Sequence, residues 1–455
     1  MENDPVAKTI IIGGGPGGYE AALVARQLGV DVTLVEANAV GGSAVLTDVV
    51  PSKGLISIAA NRLNFLETPE FTYNSAGLDI SKTNERVTAL AASQSSDILK
   101  RLQSANVEVV NARARVIDAT EVEINTAEKT YRESADAILI ATGARPRELS
   151  STVCDGVRVL NWKQLYSLEV LPEHLIVIGS GVTGAEFASA YAALGSEVTL
   201  VSSRNLVLPS EDSDAARVIS NVFEKRGISV CNNVRALSVT STSQGVAVEL
   251  SNGTELQGSH CLVAVGSTPN TADMGLLEAG VHLNGQGFVE VDSISRTNIR
   301  GIYAAGDCTG TMMLASVAAM QGRIAMRHAF GQSVQPLDLP TVAATVFTIP
   351  EIASVGVSAA EAQAQNCIDL LLPLKTNARA KMQNLDDGFI KLICHNDTRI
   401  VMGAVVVAPA ASELIFAISL AVKMRLRVED LADTLTVYPS LSGSIAEAAR
   451  QLRVN

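Results

Sequence analysis

One local pattern occurs twice in this chain of 455 residues and limits what it can fold into. Lys8–Ile12 is a short apolar run that enters Gly13-Gly14-Gly15-Pro16-Gly17-Gly18, and the alanine-rich stretch Tyr19–Leu28 follows directly. Strand, glycine turn and helix in that order open a parallel βαβ unit. Gly13 permits the tight turn, Gly15 lets the backbone approach a pyrophosphate, and Gly18 lets helix pack on strand. The helix N-terminus offers unpaired N–H groups to the anion. The next strand, Asp31–Val35, delivers Glu36 and Ala37; Glu36 stands 18 residues after Gly18, where a carboxylate accepts hydrogen bonds from both ribose hydroxyls. A glycine turn alone is often only a turn, but these flanking elements and this acid point to a nucleotide. The device returns 166 residues later as LIVIGSGVTG, Leu175–Gly184, followed by the helical stretch Ala185–Leu194 and the strand Glu197–Val201. Gly179, Gly181, Val182, Thr183 and Gly184 would form this second cradle. Two such units in one chain hold two dinucleotides between which electrons pass.

The rest of the composition fits a multidomain protein with several buried cores, 47% of its residues being hydrophobic. A formal net charge of -12 repels nucleic acid and anionic lipid at long range, so no nucleic-acid partner is expected. The N-terminal residues, with Glu2, Asp4 and Pro5, do not read as a secretory signal, and the expectation is a cytoplasmic protein. The longest apolar run, Ile400–Val422, is broken by Pro409 and Glu413, so no transmembrane segment is predicted. Six cysteines lie at least 27 residues apart, which excludes a CxxC redox site and a zinc knuckle; no metal site is expected.

Three further stretches carry a family resemblance. Gly41–Lys53, GGSAVLTDVVPSK, resembles the redox segment of the flavoprotein disulfide reductases, G-G-T-C-x-x-x-x-C-x-P-S-K, the group of lipoamide dehydrogenase and glutathione reductase. Ala137–Arg147, AILIATGARPR, resembles the A-T-G stretch that closes the family's FAD domain. Gly301–Gly310, GIYAAGDCTG, resembles the segment whose aspartate, here Asp307, holds the flavin ribityl chain. The resemblance covers essentially the whole chain and implies an α/β protein with two dinucleotide-binding Rossmann-like domains, the second inserted in the first, plus a C-terminal α+β dimerisation domain. The expected order is FAD domain at 1–149, NAD(P)H domain at 150–266, return to the FAD domain at 267–340, and interface domain at 341–455, opening with TVAATVFTIPEIASVG and building a homodimer. It also implies that Gly42, Ser43, Lys53, Ala114, Thr142, Gly143, Asp307, Leu314 and Ala315 line the FAD site. Val265 and Gly266 would line the NAD(P)H site, although Ser267 stands where the family often shows arginine.

On this alignment the frame survives and the thiols do not, because the two cysteine positions fall on Ala44 and Val49. Neither side chain takes electrons or forms a disulfide. The family's C-terminal His-Glu acid–base pair is also replaced, by Tyr438 and Gly443 in YPSLSG. Lys53 matches the lysine beside the flavin N5 and Glu186 the acid that pairs with it, so the side that accepts hydride is complete. The combination resembles the lipoamide-dehydrogenase-like NAD(P)H quinone reductases, which implies hydride transfer from NADPH or NADH to FAD and then to a quinone, with no lipoamide dehydrogenase activity. Ala44, Val49 and Tyr438 could line the acceptor's surface, and Tyr438 could donate to the developing quinol oxygen; a packing aromatic in a dimer loop accounts for it equally well.

Coenzyme preference is argued from position. Ser202 stands 18 residues after Gly184, the offset of Glu36 in the first unit, and Ser203 and Arg204 follow. A carboxylate there repels a 2′-phosphate, whereas hydroxyls and a guanidinium accept one, so NADPH is predicted to be used well. A solvated loop is the plain alternative. A soluble pyridine nucleotide transhydrogenase fits the same architecture without needing a quinone, and a non-catalytic flavoprotein subunit is the alternative from outside enzymology.

Overall fold

The computed structural model describes residues 6–68, 77–149 and 151–454. Ser150, at which the inserted domain is expected to begin, lies outside them, as do Met1–Pro5 and Asn455.

Two parallel five-stranded sheets dominate. The first has the order Ile302–Ala304, Ala137–Ile140, Lys8–Ile12, Asp31–Glu36 and Glu108–Asn111, so strands from both sides of the intervening sequence complete one sheet. The second runs Ser229–Cys231, Glu197–Val201, His174–Ile178, His260–Val263 and Val159–Asn161. Their inner strands are almost uniformly apolar and buried, as parallel strands covered on both faces must be. In each sheet the strand before the glycine turn is central and the chain crosses to its other side afterwards. Both glycine turns therefore lie at a switch point, at the carboxyl ends of the strands, where open α/β sheets bind ligands.

The two glycine helices, Pro16–Gln27 and Val182–Leu194, follow their turns directly. Between the first unit and its return, Val49–Glu67 and Ile80–Ser104 form long helices, the latter capped by Asp79, whose carboxylate accepts from Lys82 N at 3.0 Å. A third, antiparallel sheet occupies the C-terminal part in the order Ala344–Val346, Glu351–Gly356, Val401–Ala408, Phe389–His395 and Cys367–Pro373. The apolar run Ile400–Val422 is divided between one of these strands and the helix Ala411–Met424. Among the described residues, the stretch long and apolar enough to cross a bilayer is Gly42–Glu67 instead. It is interrupted at Thr47 and Asp48 and buries Leu55, Ile56 and Ala59 in the core.

That core decides how the parts meet. Leu55, Ile56 and Ala59 from the long helix pack with Ala188 and Tyr191 of the second glycine helix and with Val346 and Phe389 of the antiparallel sheet. The helix that begins within the redox segment is thus clamped against the second dinucleotide unit, with its first turn at the seam.

Candidate active site

The first cradle is shaped so that only glycine fits. Gly13 has φ +106°, and a Cβ there would lie 2.3 Å from the carbonyl oxygen of Ala141. A Cβ on Gly18 would lie 1.8 Å from the Gly13 carbonyl oxygen, and one on Gly42 2.7 Å from the Cα of Gly15. The redox segment therefore touches the glycine turn backbone to backbone. Glu36 closes the turn: its Oε2 accepts from Gly14 N at 2.7 Å and its Oε1 from Asn38 N at 2.8 Å. Each oxygen keeps a lone pair for a ribose hydroxyl. The hydroxyl of Thr142 is buried beside the Cys308 thiol and completes no hydrogen bond of good geometry, which leaves it open to a ligand. Gly143 turns at φ +66°, Leu314 precedes the helix that begins at Ala315, and Asp307 follows the edge strand of the same sheet. Pro16 and Gly17 open the first glycine helix, Ser43 sits on the short helix Gly42–Leu46, Ala37 is exposed beyond Glu36, and Ala114 lies half-buried on the strand Arg113–Val116. These residues fit FAD.

The second cradle repeats the geometry. Gly179 has φ +111° with a would-be Cβ 2.3 Å from the Ala264 carbonyl oxygen, and a Cβ on Gly184 would lie 1.8 Å from that of Gly179. A Cβ on Gly181 would meet nothing within 4 Å, and Val182 at the helix start is 42% exposed, with Thr183 half-buried beside it, so this N-terminus is open to an anion. Val265 and Gly266, at φ +105°, form the opposite lip. The 2′-phosphate triplet does not present itself as the spacing suggests. Ser202 is fully buried, its hydroxyl shared with Ser180 Oγ at 2.7 Å and with the backbone of Arg204 at 3.0 and 3.1 Å. The strand end turns that side chain inward, so Ser202 shapes the loop while Ser203 and Arg204 are exposed. The Arg204 guanidinium has no ion pair among the described residues.

Between the cradles lies one ion pair. Lys53 Nζ donates to Glu186 Oε2 at 2.8 Å, and Glu186 Oε1 accepts from Phe347 N at 2.8 Å. The carboxylate side chain is 4% exposed and the lysine 26%. The Phe347 ring, 4.9 Å from Lys53 Nζ, adds a cation–π contact. Lys53 comes from the first unit, Glu186 from the second and Phe347 from the third, so the whole arrangement joins all three. Phe347 is invisible to motif reading, since its backbone N–H makes the contact.

Around this pair the structure gathers groups that motif reading does not single out. Asp48 precedes the helix Val49–Glu67, and burial raises its carboxyl pKa, opposed by the cations of Lys53 and Lys163 and reinforced by Glu186. Burial, with Asp48 second, pushes Asp307 up to about 6. Burial also lowers the ammonium of Lys163, which Asp48 partly restores, and raises the phenol of Tyr166. Ala44 is half-buried and Val49 is 37% exposed beside Asp48. All six cysteines are free. Cys308, in the segment carrying Asp307, is buried with its thiol on the carbonyls of Ile140 and Ala305, and burial pushes it up to about 11, which keeps it protonated and inert. Tyr438 is not brought to the Lys53–Glu186 pair within this chain. It is 85% exposed, between Val437 at 76% and a cis bond to Pro439.

Two dinucleotide cradles on either side of a buried ion pair are the arrangement of an oxidoreductase that uses two dinucleotide cofactors. Comparison with known proteins agrees. Residues 7–322 match the pyridine nucleotide-disulphide oxidoreductase family, and residues 342–449 match that family's dimerisation domain. An NAD(P)H dehydrogenase (quinone) from Mycobacterium tuberculosis is 50% identical, over 98% of this chain and 94% of its own length. Dihydrolipoyl dehydrogenase 2 of Haloarcula marismortui is 33% identical over 98% and 96%. The crystal structure of LpdA from Mycobacterium tuberculosis superposes with a TM-score of 0.94 at 49% identity, covering 98% of this chain and all (100%) of that one. The chain belongs to the pyridine nucleotide-disulphide oxidoreductase family and is a flavoprotein enzyme that uses FAD and NAD(P)H.

Proposed function

We propose that this enzyme is an NAD(P)H:quinone oxidoreductase working without a redox disulfide. The observation that carries the reading is a contrast within one segment: Lys53 holds Glu186 at 2.8 Å, while the positions of both thiols carry Ala44 and Val49. Bound FAD supplies the store for two electrons between nicotinamide and acceptor. Gly13–Gly18, Glu36, Thr142 and Asp307 would hold it, and Gly179–Gly184, Ser203 and Arg204 would hold NADPH, with NADH also accepted. Lys53 places a cation where negative charge develops, and Glu186 fixes its position through a charge-assisted hydrogen bond. The side chains at 44 and 49 offer an apolar surface on which a flat two-electron acceptor stacks without a covalent intermediate. The 50% identical relative named as a quinone dehydrogenase supports the same acceptor.

We also infer a homodimer in the cytoplasm. Leu435, Val437 and Tyr438 are 98, 76 and 85% exposed within the family's dimerisation domain, which suits burial by a second copy. Tyr438 then faces the partner's site rather than its own.

An anaerobic titration tests the reading. Protein reduced with NADPH is mixed with a panel of quinones, NAD and lipoamide while the oxidised flavin spectrum is followed. Quinones are expected to restore it and lipoamide not. Faster recovery with NAD than with any quinone would make the enzyme a transhydrogenase, and flavin that neither NADPH nor NADH bleaches would remove the reading altogether.

A further inference from the structure

Removing the thiols and the His-Glu dyad leaves no proton donor at that place within this chain, Tyr438 being 85% exposed and away from the Lys53–Glu186 pair, while hydride delivers two electrons and one proton and the quinol needs a second proton. On the reading that the acceptor is a quinone, we propose that Asp48 is the acid that supplies this proton, and that the nearby Lys163 cation tunes it. In the balanced step, NAD(P)H, a quinone and one proton give NAD(P)⁺ and quinol. The O–H bond of the Asp48 carboxyl breaks as the second quinol O–H bond forms, and solvent then reprotonates the carboxylate.

Several independent observations place Asp48 for this role. It is the residue immediately before Val49, which occupies the distal thiol position and is 37% exposed. Its backbone is pinned, N–H donating to Ser43 O at 2.8 Å and C=O accepting from Ser52 N at 2.8 Å, so the carboxyl leaves from a fixed point. An aspartate at a helix N-cap ordinarily accepts from the first turn. Asp48, with φ -131° and ψ -89°, caps nothing, and its carboxyl takes part in no hydrogen bond or ion pair among the described residues. A carboxyl that forgoes its cap in a part-buried seam remains available to a ligand.

The groups facing it come from four elements. Lys53 lies on its own helix, Glu186 on the second glycine helix, Lys163 and Tyr166 on the segment after Val159–Asn161, and Asp307 beyond the edge strand of the first sheet. Two neighbouring hydroxyls, those of Thr47 and Tyr166, are buried and unpartnered, the latter facing Ser52 without completing a hydrogen bond of good geometry. The alternatives are less suited. Lys53 is held by Glu186, and burial raises the Tyr166 phenol. Burial likewise keeps the Asp48 carboxyl protonated to higher pH than a free aspartate, the direction a general acid requires.

The test compares two acceptors with the FAD-loaded enzyme under NADPH: menadione, which must gain protons, and ferricyanide, which takes one electron and none. In the wild type, menadione turnover falls through one ionisation as pH rises, since the donor is the protonated acid. Asp48→Asn is expected to lower the menadione-to-ferricyanide ratio at least ~10-fold, from the lower range of general-acid contributions, and to abolish that limb. Asp48→Glu is expected to recover part of both. Lys163→Met removes a cation that lowers the carboxyl's pKa, so the limb moves to higher pH; this serves if Asp48→Asn fails to bind FAD. Infrared difference spectra of the protein without nicotinamide or quinone should show a protonated carboxyl band that titrates with the limb and is missing in Asp48→Asn. An unchanged ratio and limb in Asp48→Asn, or an unmoved limb in Lys163→Met, overturns the proposal. A wild type that reduces ferricyanide but no quinone overturns the quinone reading beneath it.

Discussion

Ser202 and Arg204 show how much a single side-chain direction decides. Both follow the same strand, yet the Ser202 hydroxyl is spent on Ser180 and on the loop's own backbone, leaving Arg204 as the charged group at the rim. A guanidinium that meets a 2′-phosphate makes charge-assisted hydrogen bonds of about 1.5–3 kcal/mol. Arg204→Ala is therefore expected to raise the KM for NADPH by ~10-fold or more and to leave that for NADH nearly unmoved, read from initial rates with each coenzyme. Equal effects on the two coenzymes would show that the phosphate is bound elsewhere. The residue before the distal thiol position tells the reverse story: the redox frame carries Asp48 at a place free to vary, so motif reading passes over it, and only its neighbours give it chemical meaning.

At the scale of elements, the two strand–turn–helix units have the same backbone geometry, and the proposed function assigns one cofactor to each. In each, the third glycine lies where a Cβ would come within 1.8 Å of the first glycine's carbonyl oxygen, so the helix cannot close on the strand with any larger residue. Gly18→Ala is expected to yield protein with little bound FAD, read as the ratio of visible to ultraviolet absorbance. Gly184→Ala is expected to stay yellow while its bleaching by NADPH slows by at least ~100-fold, because a small displacement of a binding element is enough for such a loss. Two variants that behave alike would contradict the assignment of one cradle to each cofactor. The strands, turns and helices of both units are legible in the sequence, since their period, glycines and acid are local. The long helices Val49–Glu67 and Ile80–Ser104 are not, their apolar residues being distributed against partners far along the chain.

At the scale of the molecule, polar ties hold the second dinucleotide unit to the C-terminal sheet. Lys391 Nζ meets Asp212 at 2.7 Å and Asp214 at 2.6 Å, with Lys391 and Asp212 side chains only 3 and 5% exposed, and Lys225 reaches Asp387 at 2.8 Å nearby. Removing one member of a buried network strands the opposite charges, at a cost of about 3–5 kcal/mol. Lys391→Met, which keeps the volume, is expected to lower the thermal midpoint by several degrees and to expose the junction to limited proteolysis; an unchanged midpoint would show that apolar packing alone holds the seam. The hydrogen bond from Lys391 also holds the Asp214 carboxyl below its ordinary range. Its contribution is present above that range and is lost as pH falls through the lower folded value, so the variant's acid sensitivity should be shallower.

What this sequence determines alone is the pair of cradles, the redox frame and the loss of both thiols, because each is written in contiguous residues whose spacing acts through the local backbone. Beyond the Lys53–Glu186 pair that the family resemblance implies, it cannot show that Phe347 joins that pair or that Asp48 shares a seam with Lys163 and Tyr166. Those facts depend on three units docking through a common core, and side-chain direction and burial across such a seam arise from residues more than a hundred positions apart.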